Sequence, residues 1–165
     1  MHPRIILCGL ALALVAADPP ADAPKKVDAD GVPNLIRLGD GIYQGAMPQG
    51  DAGFAALEKL GVKTVISVDG ARPDLEDAHK HGMRYVHIPT TYDGLTRAQA
   101  LEAAKAVRDL PGPVYIHCHK GTLRGPTVAA VVRLFLGQCT LGEAQEGMKL
   151  AGFDPRYTGL WDSPK

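Results

Sequence analysis

The sequence predicts a single α/β domain, built on a mainly parallel central sheet flanked by helices, and three observations carry that prediction. Short β-branched runs alternate with segments of helical apolar spacing along most of the chain. Two capping boxes, Thr96 with Gln99 and Thr140 with Glu143, mark helix starts. The chain has 165 residues, 45% of them hydrophobic, which is enough for one core. Strand and helix in regular alternation imply parallel pairing, because parallel neighbours need a crossover long enough to hold a helix.

The elements follow in order. Leu35 to Leu38 and Ile42 to Gln44, joined by Gly39-Asp40-Gly41, read as a hairpin. Phe54, Leu57 and Leu60 recur at helical spacing up to Gly61, a C-terminal stop. Val62 to Val68 is a β-branched strand, Pro73 to His81 a helix stopped by Gly82, and Met83 to Ile88 the next strand. The first capping box opens a helix whose apolar face includes Ala100, Ala103, Val107 and Leu110. After Pro111-Gly112-Pro113 come the strand Val114 to His117, a glycine-containing loop and a helix from Gly125 to Leu136. The second capping box opens a last helix over Leu141 to Leu150.

The beginning of the chain is of another kind. Arg4 precedes an apolar run from Ile5 to Ala17, the layout of a secretory signal peptide, and Val15-Ala16-Ala17 supplies the small residues a signal peptidase reads. Residues 1–17 are therefore expected to be removed on export to a periplasmic or extracellular space, taking Cys8 with them; a retained peptide would anchor the chain in the membrane. Asp18 to Pro33 carries four prolines and alternates Ala, Asp and Lys, which reads as a flexible linker, with the domain over residues 34–165.

Composition excludes several functions. With 18 Lys+Arg against 18 Asp+Glu and no like-charge run beyond Lys25-Lys26, there is no footprint for nucleic acid. Three cysteines, none in a CxxC pair, make neither a disulfide framework nor a four-sulfur zinc site. Any cysteine that matters does so individually.

In open α/β sheets, ligands bind beyond the carboxyl ends of the strands. Three reactive residues fall there: Asp69 after the Val62 to Val68 strand, Asp93 in the loop after Ile88, and Cys118 after the Val114 to His117 strand. Around the last of these runs His117-Cys118-His119-Lys120-Gly121-Thr122-Leu123-Arg124. A loop between strand and helix can curl so that successive N–H groups and the helix start point at one spot, an anion cradle that favours thiolate at its mouth. Arg124 offers a planar fork for two phosphate oxygens, and Gly121 lets the backbone turn.

These eight residues resemble the HCxxGxxR loop of the cysteine-dependent phosphatases of the protein tyrosine and dual-specificity type. The likeness extends from Leu35 to Phe153, including Ile42-Tyr43-Gln44 and the run Leu60 to Ile66. It implies a dual-specificity-phosphatase-like fold, Cys118 as nucleophile, and Arg124 with the loop His119, Lys120, Gly121, Thr122 and Leu123 as phosphate cradle. It further implies Asp93 as general acid and His117 as a support ordering the loop through hydrogen bonds to backbone, with no metal and no cofactor. Asp69 is a turn former or a substitute acid. The substrate would be a phosphorylated protein or a small phosphorylated metabolite. The form H-C-x-K-G-x-x-R is similar to that of atypical dual-specificity enzymes of plants and fungi acting on inositol pyrophosphates. One departure stands out: many members carry Ser or Thr after the loop arginine, whose hydroxyl helps the thiolate leave, and here that residue is Gly125. Slow turnover, or a phospho-ligand-binding pseudo-phosphatase, would follow.

Other readings compete. A rhodanese-like sulfurtransferase also places a Cys loop at a strand end, though its loop is usually one residue shorter and Asp93 would have no role. His87, His117 and His119 would bind metal if the loop stayed a strand. His79 and His81 read as exposed helix residues and Cys139 as structural. Export also sets a low-pKa thiolate in an oxidising space, where it would need a reductant.

Overall fold

A computed structural model describes residues 23–39 and 41–165. The signal peptide expected over residues 1–17, the first part of the linker and Asp40 lie outside the described residues. Six strands form one mixed sheet: β1 (Lys25–Lys26), β2 (Ile36–Gly39), β3 (Ile42–Ala46), β4 (Thr64–Ser67), β5 (Arg84–His87) and β6 (Val114–Cys118). Their spatial order is β1-β2-β3-β6-β4-β5. β1, β2 and β3 pair antiparallel, and β3, β6, β4 and β5 pair parallel. The helices are α1 (Gly50–Lys59), α2 (Leu75–Lys80), α3 (Arg97–Asp109), α4 (Arg124–Phe135), α5 (Leu141–Leu150) and α6 (Thr158–Asp162). Among the described residues no helix is long and apolar enough to cross a membrane.

Side-chain alternation divides the core. Tyr115 and Val65 face one side of the sheet, where they pack with Phe54 and Leu57 of α1 and Ala78 of α2. Ile116, Cys118 and Ile66 face the other, against Ala103 of α3 and Val128, Ala129 and Val132 of α4. A third cluster joins α4 to α5 and α6 through Ala130, Ala144, Met148, Phe153 and Leu160. Both capping boxes are present, with Thr96 accepting from the Gln99 amide and Thr140 from the Glu143 amide. Their reciprocal bonds satisfy amides that a helix start otherwise leaves open.

Two expectations are corrected. Residues 25–33 do not behave as a tether: Lys25 pairs with Arg37 and Lys26 with Ile36, the Val27 amide donates to Leu35 O at 2.9 Å, and Val32 is buried. Poverty in apolar side chains argued for a tether, but the open edge of β2 supplies backbone partners that composition does not reveal. The ordered domain thus includes residues ahead of Asn34. His81, expected on an exposed face, closes α2 with its side chain only 11% exposed; its Nδ1 lies 2.8 Å from Glu58 and its Nε2 3.0 Å from Asp51. Those carboxylates, Glu58 foremost, raise its pKa and tie the end of α2 to α1. His79 is exposed as expected.

Candidate active site

β6 lies between β3 and β4 and ends at Cys118, and the chain then turns directly into α4 at Arg124. The residue preceding α4 is Leu123, which makes no side-chain cap, so the first-turn amides of this 12-residue helix face the loop uncapped. Gly121 has φ +67, and a Cβ there would overlap the backbone of Gly45 and Ala46. The loop is therefore pressed onto β3 at a point only glycine can occupy. Asn34 braces it by donating from Nδ2 to the carbonyls of Gly121 and Ala151, both at 2.9 Å, and the Met47 amide donates to His119 O at 3.3 Å.

The loop encloses a cleft of about 150 Å³ lined by Cys118, His119, Lys120, Thr122, Leu123 and Arg124, with Tyr92 and Tyr157 at its rim. Cys118 is 3% exposed and Arg124 7%. The Arg124 guanidinium is held on two sides. Its Nη2 donates to Asp69 Oδ1 at 3.0 Å, and its Cζ lies 4.6 Å from the centroid of the Tyr92 ring. The Arg124 Nε is buried without a protein acceptor. Tyr92 and Tyr157 face each other with ring centroids 5.6 Å apart.

The structure thus gathers Cys118, the cradle and Arg124, and adds Asp69, whose role changes. Asp69 sits in the bend after β4, and its carboxylate is buried and paired. Its side chain is 8% exposed and ion-paired to Arg124, with His119 Nδ1 3.6 Å from the other oxygen. The physical reason is tertiary: the end of β4 sits beside β6, so a residue at its tip meets the guanidinium. Asp93 stands apart from the cleft. It is exposed and borders a neighbouring depression with Thr91, Gly94, Thr96 and Gly159.

His117 is buried beside the Cys118 backbone, with which its ring makes a hydrogen-bonding contact. Nε2 shares a 3.0 Å hydrogen bond with the Tyr85 hydroxyl, and the ring stacks on Tyr115 at 5.7 Å. Alternation along β6 turns the His117 side chain to the face opposite Cys118, and Asn34 adds a second brace on the loop. Burial pushes the His117 pKa down to about 4, against weaker upward pulls from the Cys118 backbone and Asp69. A folded pKa below the usual 6.5 means the unfolded chain binds the proton more readily. The contribution is fully present above about pH 6.5 and is lost as pH falls towards 4, reaching about 3 kcal/mol. Urea unfolding from pH 7 to pH 4 is expected to show that loss, and His117→Gln to flatten it; an equal slope in both proteins would refute the assignment.

The metal alternative finds no geometry. His87 Nε2 bonds the Asp69 carbonyl at 2.8 Å, His117 bonds Tyr85, and among the described residues no group of three potential ligands forms. Sequence reasoning missed Tyr92 and Tyr157. Tyr92 was within reach as the neighbour of Asp93, whereas Tyr157 lies in a C-terminal stretch with no local pattern.

No family model matches this chain. A dual specificity protein phosphatase, TpbA of Pseudomonas aeruginosa (strain UCBPP-PA14), is 32% identical over 124 residues, which are 73% of this chain and 55% of that protein. The crystal structure of P. aeruginosa TpbA superposes with a TM-score of 0.71 at 26% identity, covering 88% of this chain and 90% of that one. In sequence and in fold the chain is similar to dual-specificity phosphatases. It spans about half the length of the curated relatives it matches. The fold is shared more widely: the catalytic core of the PP-IP phosphatase SIW14 from S. cerevisiae superposes with a TM-score of 0.63 at 18% identity, over 75% of this chain and 79% of that one. Against this dual-specificity phosphatase background Gly125 becomes a measurable departure. A Cβ at that position would stand 3.5 Å from Cys118 Sγ and 3.2 Å from its amide, so a side chain here would border the thiol. Thr127 does not substitute, since its hydroxyl donates to Leu123 O at 3.1 Å and is 3.5 Å from Leu160 O.

Proposed function

We propose that this chain is a cysteine-dependent phosphatase that hydrolyses phosphate monoesters through a phosphorylated Cys118. The observation that carries the reading is the loop from Cys118 to Arg124, whose two ends are both buried and border one cleft at the uncapped start of α4. In the first step Cys118 Sγ attacks phosphorus and the bond to the leaving oxygen breaks, while loop amides and Arg124 hold the non-bridging oxygens. Asp93 supplies the proton to the leaving oxygen. In the second step a water attacks the phosphorus, Asp93 takes its proton, and Cys118 leaves as thiolate. Support for Asp93 is its place next to Tyr92, which lines the cleft.

The aromatic rim favours a planar leaving group. TpbA has been crystallised with pTyr, and a phosphotyrosine side chain suits a small cleft walled by Tyr92 and Tyr157. His119 and Lys120, both exposed at the same mouth, suit an anionic surround. The substrate class is thus a phosphorylated protein before a small phosphorylated metabolite. Export belongs to the same proposal and rests on the apolar run from Ile5 to Ala17.

The test is phosphate release from p-nitrophenyl phosphate by the purified chain with reductant and chelator present. Activity is expected to survive chelation and to vanish in Cys118→Ser. Chelator sensitivity, or turnover in Cys118→Ser, would refute the thiol mechanism. Phosphate binding without turnover in the folded wild type would replace the enzyme with a binding module.

A further inference from the structure

The last residues of the chain pack against the loop that carries Asp93. A Cβ on Gly159 of α6 would overlap the Asp93 carbonyl oxygen, so the two backbones touch where no side chain fits. Across the same contact, a Cβ on Gly94 would stand 3.0 Å from Gly159 O. Two hydrogen bonds secure it. The Leu95 amide donates to Ser163 Oγ at 3.0 Å, and that hydroxyl donates to Gly159 O at 2.7 Å. α6 is itself anchored to the helix that begins at Arg124, for Leu160 is 1% exposed and packs on Ala130 of α4. Tyr157, at the head of α6, reaches the cleft rim opposite Tyr92. The acid loop is thus attached, through six C-terminal residues, to the same helix that starts the phosphate cradle.

From this we infer that Gly159 and Ser163 are positioning residues for the general acid: they set where the Asp93 loop stands relative to the Cys118 cleft. The inference rests on Asp93 being the acid. Neither residue touches substrate, so their effect should appear only where proton donation matters. A good leaving group departs without a proton, whereas a poor one needs it in the transition state.

The experiment compares kcat/KM of the full chain on p-nitrophenyl phosphate, a good leaving group, and phenyl phosphate, a poor one. The proteins are wild type, Asp93→Asn, Gly159→Ala and Ser163→Ala, each with its thermal midpoint. Asp93→Asn should lose on the order of 10²-fold or more on phenyl phosphate and far less on the nitrophenyl ester. Gly159→Ala must move the Asp93 carbonyl by roughly 1 Å, a misplacement worth about 10²-fold, and should reproduce the same selectivity. Ser163→Ala, which keeps the glycine contact, should lose about tenfold on phenyl phosphate alone. If Gly159→Ala fails to fold, Ser163→Ala decides. Equal losses on both esters, or none, beside a selective Asp93→Asn would overturn the positioning role alone. A non-selective Asp93→Asn would remove the acid assignment and this inference with it.

Discussion

Replacing Arg124 by alanine is expected to lower kcat/KM for aryl phosphates by on the order of 10³-fold and, separately, to weaken the fold by about 3 kcal/mol. The first effect follows from losing a preorganised cation beside the reacting phosphorus. The second follows from the 3.0 Å ion pair with Asp69, whose partners are both at least nine-tenths buried. Removing one side leaves a carboxylate with no comparable partner, since His119 stands 3.6 Å away and is itself exposed. The two effects separate in a double variant. Asp69→Ala/Arg124→Ala removes the orphaned charge and should recover most of the stability but none of the activity. Urea unfolding and phosphate release on the four proteins of that cycle check both. A single Arg124→Ala as stable as wild type would deny the pair its structural weight.

Wild-type protein is expected to accumulate phosphorylated Cys118, and Gly125→Ser to relieve it. The introduced Cβ would stand 3.5 Å from Cys118 Sγ, within reach for its hydroxyl to bond the departing thiolate, after the Cys118 amide at 3.2 Å gives by a few tenths of an ångström. A hydrogen bond to a charged group contributes about 1.5–3 kcal/mol, and each 1.4 kcal/mol is roughly tenfold in rate. Dephosphorylation of the intermediate should therefore speed up about ten- to a hundredfold. Rapid-quench kinetics should show a burst of phenol in wild type that shrinks in Gly125→Ser as steady-state turnover rises. No phosphocysteine in wild type, together with unchanged turnover in Gly125→Ser, would sink the explanation. Thr127, committed to the Leu123 carbonyl, offers no alternative hydroxyl.

Much of this molecule is readable in its sequence alone, and the reason is locality. A capping box is closed by residues three apart, so Thr96 with Gln99 and Thr140 with Glu143 marked the starts of α3 and α5. Strand periodicity and the β-α alternation fixed the parallel sheet, and a strand-loop-helix carrying His117 to Arg124 located the cradle within eight consecutive residues. Where readings failed, the deciding partner was distant. The strand at Lys25–Lys26 exists because β2 has an open edge. His81 is drawn in by Asp51 and Glu58 of another helix.

By itself, then, the sequence determined the fold class, the starts of α3 and α5 and the strand-loop-helix from His117 to Arg124, but not α6, because each of the former is written in short-range spacing and backbone preference. The tertiary structure alone decided which side chains meet. It paired Asp69 with Arg124 across 55 residues of chain, tied Leu95 to Ser163 across 68, and set Tyr157 opposite Tyr92 at the cleft. Such contacts depend on how strands order in the sheet and how helices stack on it, and no local pattern of residues encodes that geometry.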